Sequence, residues 1–161
     1  MAERFDVRVS QLKVARNPDI LASRALGSCV AIVLYDALAK VGALAHIMLP
    51  DSREAGARRR EARFANTAVK AMLTQMADLG AARRRITAKI VGGANMFPSL
   101  NPSGQFNVGE RNVTAVKKEL EASRIRLVAE DTGDSYGRSV EFFTETGKVK
   151  VTTIAHGQKE L

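Results

Sequence analysis

The sequence is poor in cysteine, tryptophan and long apolar runs. Its 161 residues include one cysteine and no tryptophan, and the aromatic residues are 6 phenylalanines and 2 tyrosines. A single cysteine excludes an internal disulfide and any zinc site built from several thiolates, and it is typical of a reducing compartment. The longest wholly apolar run, from Cys29 to Tyr35, is far shorter than the ~20 residues of a membrane-spanning helix. With no hydrophobic signal stretch after Met1, the sequence predicts a cytoplasmic protein without membrane insertion.

Acidic residues are also outnumbered. The chain carries 25 lysines and arginines against 17 acidic residues, a formal charge of +8. This excess favours an acidic partner, which could be nucleic acid, an anionic membrane or an acidic protein. Arginine clusters at 58–60 and 83–85 could bind phosphates, but a solvated surface is the favoured interpretation. Few aromatic residues lie near them for stacking on bases, so no nucleic-acid partner is expected.

The apolar pattern predicts a mixed α+β domain. Period-2 alternation and buried apolar runs predict strands at 5–9, 29–35, 41–49, 86–91, 125–129, 139–143 and 148–154. Helical spacing over 61–79 predicts a helix that ends at Gly80. A second helix is expected to begin at Asn107, with Glu110 three residues later as in a capping box. Without repeats or low-complexity segments, we expect one domain over residues 1–161.

The lone cysteine and one of the two histidines lie in neighbouring strands of a predicted hairpin. If the hairpin is centred between Ala37 and Leu38, Cys29 lies directly opposite His46, with Cβ atoms ~5 Å apart. A turn centred one residue later opposes Cys29 to Ile47 and points His46 to the other face. The sequence does not decide between these registers. Cysteine is also often simply buried, and His46 could be a core histidine bonded by backbone groups.

A cysteine beside a histidine suggests nucleophilic catalysis. The histidine lowers the thiol pKa and carries its proton, so the thiolate can attack a carbonyl carbon. A third group usually orients the imidazole, and Ser23, Ser28 or any acidic side chain could do so. Such a group of residues acts on esters, thioesters or amides.

No motif in the chain predicts a metal or an organic cofactor. Gly92-Gly93-Ala94-Asn95 follows a predicted strand, as phosphate-binding loops do, but it lacks the P-loop spacing and the Lys-Ser/Thr ending. His156 lies in a polar tail with no evident role. We therefore expect the chemistry to depend on side chains alone.

Six short motifs, in order along most of the chain, resemble the CheD family of chemoreceptor glutamine deamidases. They are Leu26-Gly27-Ser28-Cys29, Ala45-His46-Ile47-Met48-Leu49-Pro50, Phe64-Ala65-Asn66-Thr67-Ala68, Gly92-Gly93-Ala94-Asn95-Met96-Phe97, Asn107-Val108-Gly109-Glu110-Arg111-Asn112 and Ala129-Glu130-Asp131-Thr132-Gly133. The resemblance implies a mixed β-sandwich flanked by helices, similar to cysteine hydrolases of the cytotoxic necrotizing factor type. This fold agrees with the α+β pattern.

The resemblance also implies roles for individual residues. Cys29 is expected to be the nucleophile and His46 the general base and acid. The family's third catalytic residue is a threonine six positions before the cysteine, and Ser23 stands there in this chain. The hydroxyl is kept, but the lost methyl loosens the side-chain rotamer. Asp134 is a second departure, because the family usually has another glycine at this position.

The activity implied by the resemblance is that of a hydrolase of side-chain amides, a protein-glutamine glutaminase. It would convert glutamines in the cytoplasmic helical region of chemoreceptors to glutamate and release ammonia. The partners implied are the receptors, their arrays at the inner membrane and a CheC-type phosphatase. An alternative is a non-catalytic adaptor that binds and regulates such a phosphatase. Hydrolysis of glutamyl methyl esters by the same residues also stays open.

Overall fold

The computed structural model describes residues 1–54, 60–100 and 107–161, which form two five-stranded sheets and two α-helices. The strands are β1 (Arg4–Asp6), β2 (Leu12–Arg16), β3 (Ile20–Leu26), β4 (Val30–Asp36), β5 (Val41–Ile47), β6 (Ile86–Gly92), β7 (Arg126–Thr132), β8 (Arg138–Phe143), β9 (Val149–Thr153) and β10 (Gly157–Glu160). The helices are α1 (Ala65–Asp78) and α2 (Val108–Ala122). Short 3-10 turns occur at Ser52–Glu54, Glu61–Arg63, Arg83–Arg85 and Pro98–Leu100.

Each sheet is mixed, with one parallel pair. The first sheet has the order β1-β3-β8-β9-β10, and the second has the order β2-β5-β4-β6-β7. The parallel pairs are β1 with β3 and β6 with β7, while the other neighbours are antiparallel. The predicted α+β class with a sandwich and flanking helices is confirmed. The likeness to the cytotoxic necrotizing factor fold stays a prediction.

The second sheet is the middle layer of the molecule. One of its faces packs against α1 and α2, and the other packs against the first sheet. All seven residues of β5 are buried, as are six of the seven in β4. Burial on both faces explains why these two strands read as continuous apolar runs. In the outer sheet, β8 alternates buried and half-buried residues, as expected for a sheet with one covered face.

Both helices were predicted, with one boundary moved. Gly80, at φ +95°, follows the end of α1 in the left-handed conformation, as expected. The helix begins at Ala65 rather than near 61, because Glu61–Arg63 forms a separate 3-10 turn and Phe64 is extended. Asn107 caps α2 as predicted, since its side chain accepts a hydrogen bond from the Glu110 N–H at 3.0 Å.

Three strands escaped the sequence pattern, namely β2, β3 and β10. The most consequential is β3, which carries Ser23. Its pairing with β8 shifts register between Ser23 and Leu26, and Ala25 lies at φ +57°. Such a bulge breaks the period-2 alternation on which the prediction of a strand depends.

The second arginine cluster is less solvated than expected. Arg85 forms an ion pair with the fully buried Asp36, with 2.9 Å between the guanidinium and carboxylate atoms. Arg83 donates to the Ser123 carbonyl at 3.1 Å. These contacts join the second sheet and α2, so two of the three arginines have structural partners. Positions 58 and 59 of the first cluster lie outside the described residues.

No helix in the described ranges is long and apolar enough to cross a membrane.

Candidate active site

The hairpin that carries Cys29 and His46 has a register different from both predicted alternatives. His46 pairs with Ala31, and Val30 pairs with Ile47. The direct opposition of Cys29 and His46 is therefore wrong, and so is the pairing of Cys29 with Ile47. The strands turn one residue later than the second alternative assumed.

The turn itself explains this register. Asp36 and Val41 are the last paired residues, so four residues form the connection. The Asp36 carboxylate accepts hydrogen bonds from the Leu38 and Ala39 N–H groups at 3.0 and 3.1 Å. Lys40 closes the turn in the left-handed conformation at φ +52°. A carboxylate that bonds backbone two and three residues ahead favours this longer turn over a tight one.

The observed register still brings the two residues onto one face of the sheet. Cys29 lies two positions before Ala31, the residue opposite His46, and side chains two apart point the same way. Cys29 is thus a diagonal neighbour of His46. The shared face is the inner one, where Cys29 packs against the apolar cluster between the sheets and His46 reaches a residue of the opposite sheet. The structure therefore keeps the predicted neighbourhood with a different geometry.

Ser23 fixes the imidazole from the opposite sheet. Its hydroxyl donates to the Val7 carbonyl at 2.7 Å, and its oxygen lies 2.7 Å from Nδ1 of His46. A serine hydroxyl has one proton, and a carbonyl can only accept. Because the Ser23 hydroxyl donates its only proton to the Val7 carbonyl, Nδ1–H of His46 must donate to the Ser23 oxygen. This bond assigns the tautomer of His46. Nε2 then carries the free lone pair.

The free nitrogen of His46 is buried. His46 is 1% exposed, and Nε2 has no hydrogen-bond partner among the described residues. Burial lowers the pKa of His46 from its ordinary value, and the Val7 carbonyl opposes that shift. The imidazole is therefore neutral at neutral pH. A buried ring nitrogen without a partner is unusual and is available to take a proton.

Cys29 is half-buried at the start of β4. Burial raises the pKa of its thiol, so the resting group is a neutral thiol rather than a thiolate. The thiol and imidazole make no hydrogen bond to each other in this structure. Cys29 and His46 therefore do not form a thiolate–imidazolium ion pair in this structure. A thiolate would have to form as the thiol proton moves to Nε2 of His46.

All three carbonyls of the segment 27–29 accept hydrogen bonds. Gly27 accepts from the Ala94 N–H, Ser28 from the Asn112 amide and Cys29 from the Gly93 N–H, each at 2.9 Å. In a trans-planar peptide the N–H points opposite to the preceding carbonyl. The Ser28 N–H therefore points away from the partner of the Gly27 carbonyl, the Cys29 N–H points away from the partner of the Ser28 carbonyl, and neither donates to any described residue. Two free N–H groups beside a thiol can bind a developing oxyanion.

Two glycines let β6 approach this segment. Gly92 lies at φ +118° and Gly93 at φ +68°, conformations that favour glycine. A Cβ at Gly92 would overlap the Cys29 carbonyl oxygen, and one at Gly93 would overlap the Val113 side chain. The Gly-Gly pair, which had suggested a weak phosphate-loop match, thus serves a close backbone contact next to Cys29.

The chain is similar to proteins of one family over most of its length. The family model described as CheD chemotactic sensory transduction matches residues 48–153. A probable chemoreceptor glutamine deamidase CheD of Caldanaerobacter subterraneus subsp. tengcongensis is 46% identical over 95% of this chain and 94% of its own. One of Syntrophomonas wolfei is 44% identical over 99% of both chains. The chain belongs to the CheD family. The chemoreceptor glutamine deamidase CheD of Thermotoga maritima is also similar, at 44% identity over 95% of this chain.

The loop after β7, which contains Asp134, braces the segment before Cys29. Arg138 is 1% exposed, lies opposite Leu26 in the sheet, and contacts Asp131 at 3.3 Å and the Gly133 carbonyl at 2.8 Å. Asp134, where the resemblance implied another glycine, lies at φ +56°, a conformation that favours glycine and that aspartate tolerates. Its carbonyl accepts from the Asn95 N–H at 2.8 Å, so the loop reaches the Gly93–Asn95 turn.

Sequence reasoning named the three central residues but missed those that hold them. Asn112 is fully buried and Asp131 and Arg138 nearly so, although all three are polar. Asn112 and Asp131 stood inside quoted motifs without an assigned role. Their burial is visible only in the structure, where these polar side chains lie in largely apolar surroundings.

The described residues contain no group of three or more His, Cys, Asp or Glu side chains that could hold a metal ion. A cavity of about 880 Å³ lies beside α2, lined by residues such as Asn66, Arg111 and Lys118, and neither Cys29 nor His46 lines it. His156, the second histidine, lies just before β10 and stacks on Tyr136 with ring centroids 4.1 Å apart. Of the predicted site residues, the structure brings Cys29, His46 and Ser23 together.

Proposed function

We propose that this protein deamidates glutamine side chains of chemoreceptors, with Cys29 as nucleophile and His46 as base and acid. Ser23 orients the imidazole. The single observation that carries the proposal is the state of His46: Nδ1 is engaged by Ser23, and the buried Nε2 has no partner among the described residues. The imidazole is thus held in the tautomer that can accept a proton on the face it shares with Cys29.

In the first step, Nε2 takes the thiol proton as sulfur attacks the amide carbon of glutamine. The Cys29 side chain turns towards Nε2 when substrate binds, since catalytic hydrogen bonds are often long or absent in the free enzyme. A C–S bond forms, and the carbonyl electrons move onto oxygen. The N–H groups of Ser28 and Cys29 stabilise that oxyanion.

In the second step, the intermediate collapses. Protonated His46 donates its proton to the amide nitrogen, the C–N bond breaks, and ammonia leaves behind a thioester on Cys29. Water then attacks the thioester carbon and gives its proton to Nε2, and the C–S bond breaks. The sulfur recovers a proton from His46, so amide and water yield glutamate and ammonia with the enzyme unchanged.

The names of the relatives support chemoreceptors as the substrate. The formal charge of +8 suits an acidic helical bundle rich in glutamate and glutamine. We place the reaction in the cytoplasm, at receptor arrays, and in one domain over residues 1–161. A CheC-type phosphatase is a further proposed partner, as implied by the family resemblance.

Peptide mass spectrometry tests this proposal. A chemoreceptor cytoplasmic fragment is incubated with the protein, and conversion of glutamine to glutamate is followed with time. We expect Cys29→Ala and His46→Ala to abolish conversion, while Cys29→Ser, which keeps the shape with a weaker nucleophile, leaves at most a trace. Conversion by Cys29→Ala at the wild-type rate would disprove the catalytic assignment. A protein that binds a CheC-type phosphatase and changes its activity but converts no receptor glutamine would favour the adaptor alternative.

A further inference from the structure

Helix α2 places one fully buried polar side chain against the catalytic hairpin. Asn112 is 0% exposed, and it belongs to the face of α2 that packs on the second sheet. Burying an amide in an apolar interface is unfavourable unless its hydrogen bonds are made. The bonds that it does make therefore indicate what the side chain contributes.

Asn112 joins the two strands of that hairpin at its open end. Its Nδ2 donates to the Ser28 carbonyl at 2.9 Å and to the Met48 carbonyl at 3.0 Å. Ser28 immediately precedes Cys29, and Met48 lies two residues after His46. One amide group thus holds the backbone beside the nucleophile and the backbone beside the base.

The acceptor end of the same side chain is unused. Oδ1 of Asn112 is buried and has no hydrogen-bond partner among the described residues. An unsatisfied buried carbonyl costs stability, on the order of 1–3 kcal/mol, and offsets much of what the two donated bonds contribute. An asparagine with an unsatisfied oxygen therefore contributes little net stability. Its two donated hydrogen bonds are nevertheless sufficient to fix the relative position of the two strand ends.

The helix itself packs closely against the turn that binds the same segment. Gly109, one turn before Asn112, lies so close to the Gly93 and Ala94 carbonyls that a Cβ there would overlap both oxygens. The N–H groups of Gly93 and Ala94 in turn bind the Cys29 and Gly27 carbonyls. The first turn of α2, the glycine turn after β6 and the nucleophile segment therefore form one packed unit.

We propose that Asn112 is a positioning residue that sets the distance between the Cys29 thiol and Nε2 of His46. This inference rests on the proposed roles of those two residues. No rigid ladder pairs Cys29 directly with the strand of His46, because regular pairing begins at Val30 and Ile47. Asn112 spans the place where the ladder ends. Since a shift of about 1 Å can cost ~100-fold in rate, loss of this bridge acts on the chemical step.

The burial of Asn112 makes the proposal specific. A side chain with no exposed surface cannot contact a receptor, so its removal leaves substrate binding intact. Asn112→Ala is expected to lower kcat by ~30–100-fold and to leave KM for the receptor fragment within about twofold. Asn66→Ala is the matched control, because Asn66 is a helical asparagine that holds Ser52 and has no bond to segment 27–29. It should lower Tm without changing kcat at temperatures below melting.

A receptor-free measurement separates this inference from the proposed function. Alkylation of Cys29 by iodoacetamide is followed across pH in wild type, His46→Ala, Asn112→Ala and Asn66→Ala. In wild type, neutral His46 accepts the thiol proton as the sulfur attacks iodoacetamide, so alkylation proceeds at a pH at which the Cys29 thiol itself is still protonated. Asn112→Ala should lose this assistance and resemble His46→Ala, while Asn66→Ala should keep the wild-type profile.

The outcomes are distinct. A folded Asn112→Ala with the wild-type kcat and alkylation profile overturns the proposal, and so does a change in KM alone. Asn112→Ser, which is smaller and keeps a donor, replaces Asn112→Ala if circular dichroism shows that the alanine variant does not fold. If wild type alkylates with His46 assistance but converts no receptor glutamine, the proposed function fails and the positioning role is still judged by the alkylation profiles.

Discussion

Replacing Ser23 by alanine tests the orientation of the base most directly. The change removes the acceptor of the His46 Nδ1–H bond and the donor to the Val7 carbonyl, both at 2.7 Å. Ser23 is 1% exposed, so water does not readily replace either bond. The imidazole then loses its fixed tautomer, and Nε2 no longer carries the lone pair in every molecule.

The size of the effect follows from the change of charge on His46 during catalysis. The Nδ1–H bond to Ser23 is strongest when the imidazole is protonated, in the transition state, and hydrogen bonds to charged groups contribute about 1.5–3 kcal/mol. At about 1.36 kcal/mol for each tenfold change in rate, Ser23→Ala should lower kcat by ~10–150-fold. The unpaired Val7 carbonyl adds a stability loss of about 1–3 kcal/mol.

Glutamine conversion in a receptor fragment gives kcat and KM, and thermal melting gives the stability change. Ser23→Thr is the matched variant, because it keeps the hydroxyl and introduces the threonine that the family resemblance implies at this position. We expect it to retain activity within about threefold, since the stiffer β-branched side chain holds its rotamer better but must fit beside Val140. If Ser23→Ala keeps the wild-type kcat while it lowers Tm, Ser23 has a packing role only and the tautomer argument is refuted.

Three further predictions concern pH and backbone geometry. Burial lowers the pKa of His46 from 6.5 and raises the pKa of Cys29. We therefore expect kcat/KM to stay level near neutral pH and to fall as the pH drops below 6.5, where His46 takes up a proton. Absorbance of a Cys29 thiolate at neutral pH would contradict this prediction. Burial alone would raise the pKa of Asp36, but hydrogen bonds from an arginine and three backbone N–H groups lower it from 3.8 to about 2. The ionised carboxylate therefore stabilises the fold by roughly 2 kcal/mol above about pH 4, and this contribution disappears as the pH falls towards 2. Urea unfolding at neutral pH should show that Asp36→Asn removes it. Gly92→Ala should lower kcat at least ~10-fold by displacing the Cys29 carbonyl, whereas Gly80→Ala, also at positive φ but with open space around it, should cost only about 1 kcal/mol of stability; equal kcat values for the two variants would contradict the close-approach argument.

Elements with strong periodicity were predictable from the sequence. The two helices, the hairpin strands and β6 to β9 carry apolar patterns that depend on local spacing alone. The strand of Ser23 was not predictable in this way, because a bulge near Ala25 interrupts its alternation. Its place in the opposite sheet depends on pairing with β8, more than 110 residues along the chain, and no local pattern encodes that contact.

The catalytic roles of Cys29 and His46 stay a prediction from the sequence, and the geometry that relates the two residues was not predictable from it. Two registers were weighed for the hairpin, and both were wrong because the Asp36 carboxylate extends the turn to four residues. The error in register did not change the conclusion that Cys29 and His46 lie close together. A shift of two positions from direct opposition leaves Cys29 and His46 on the same face, whereas a shift of one would have separated them.

The three residues depend on different parts of the fold, and this separates the ways in which the site can fail. The Cys29–His46 relation is set within the second sheet, by the hairpin register and by the contacts of segment 27–29 with β6 and α2. The His46–Ser23 relation is set across the apolar layer between the sheets. Changes to α2 or to the glycine turn should therefore alter the distance over which the proton moves, while changes to the inter-sheet core should alter which nitrogen accepts it. Changes to α2 or to the glycine turn should slow Cys29 alkylation at every pH above the pKa of His46. Changes to the inter-sheet core should chiefly shift the pKa of His46 towards its ordinary value.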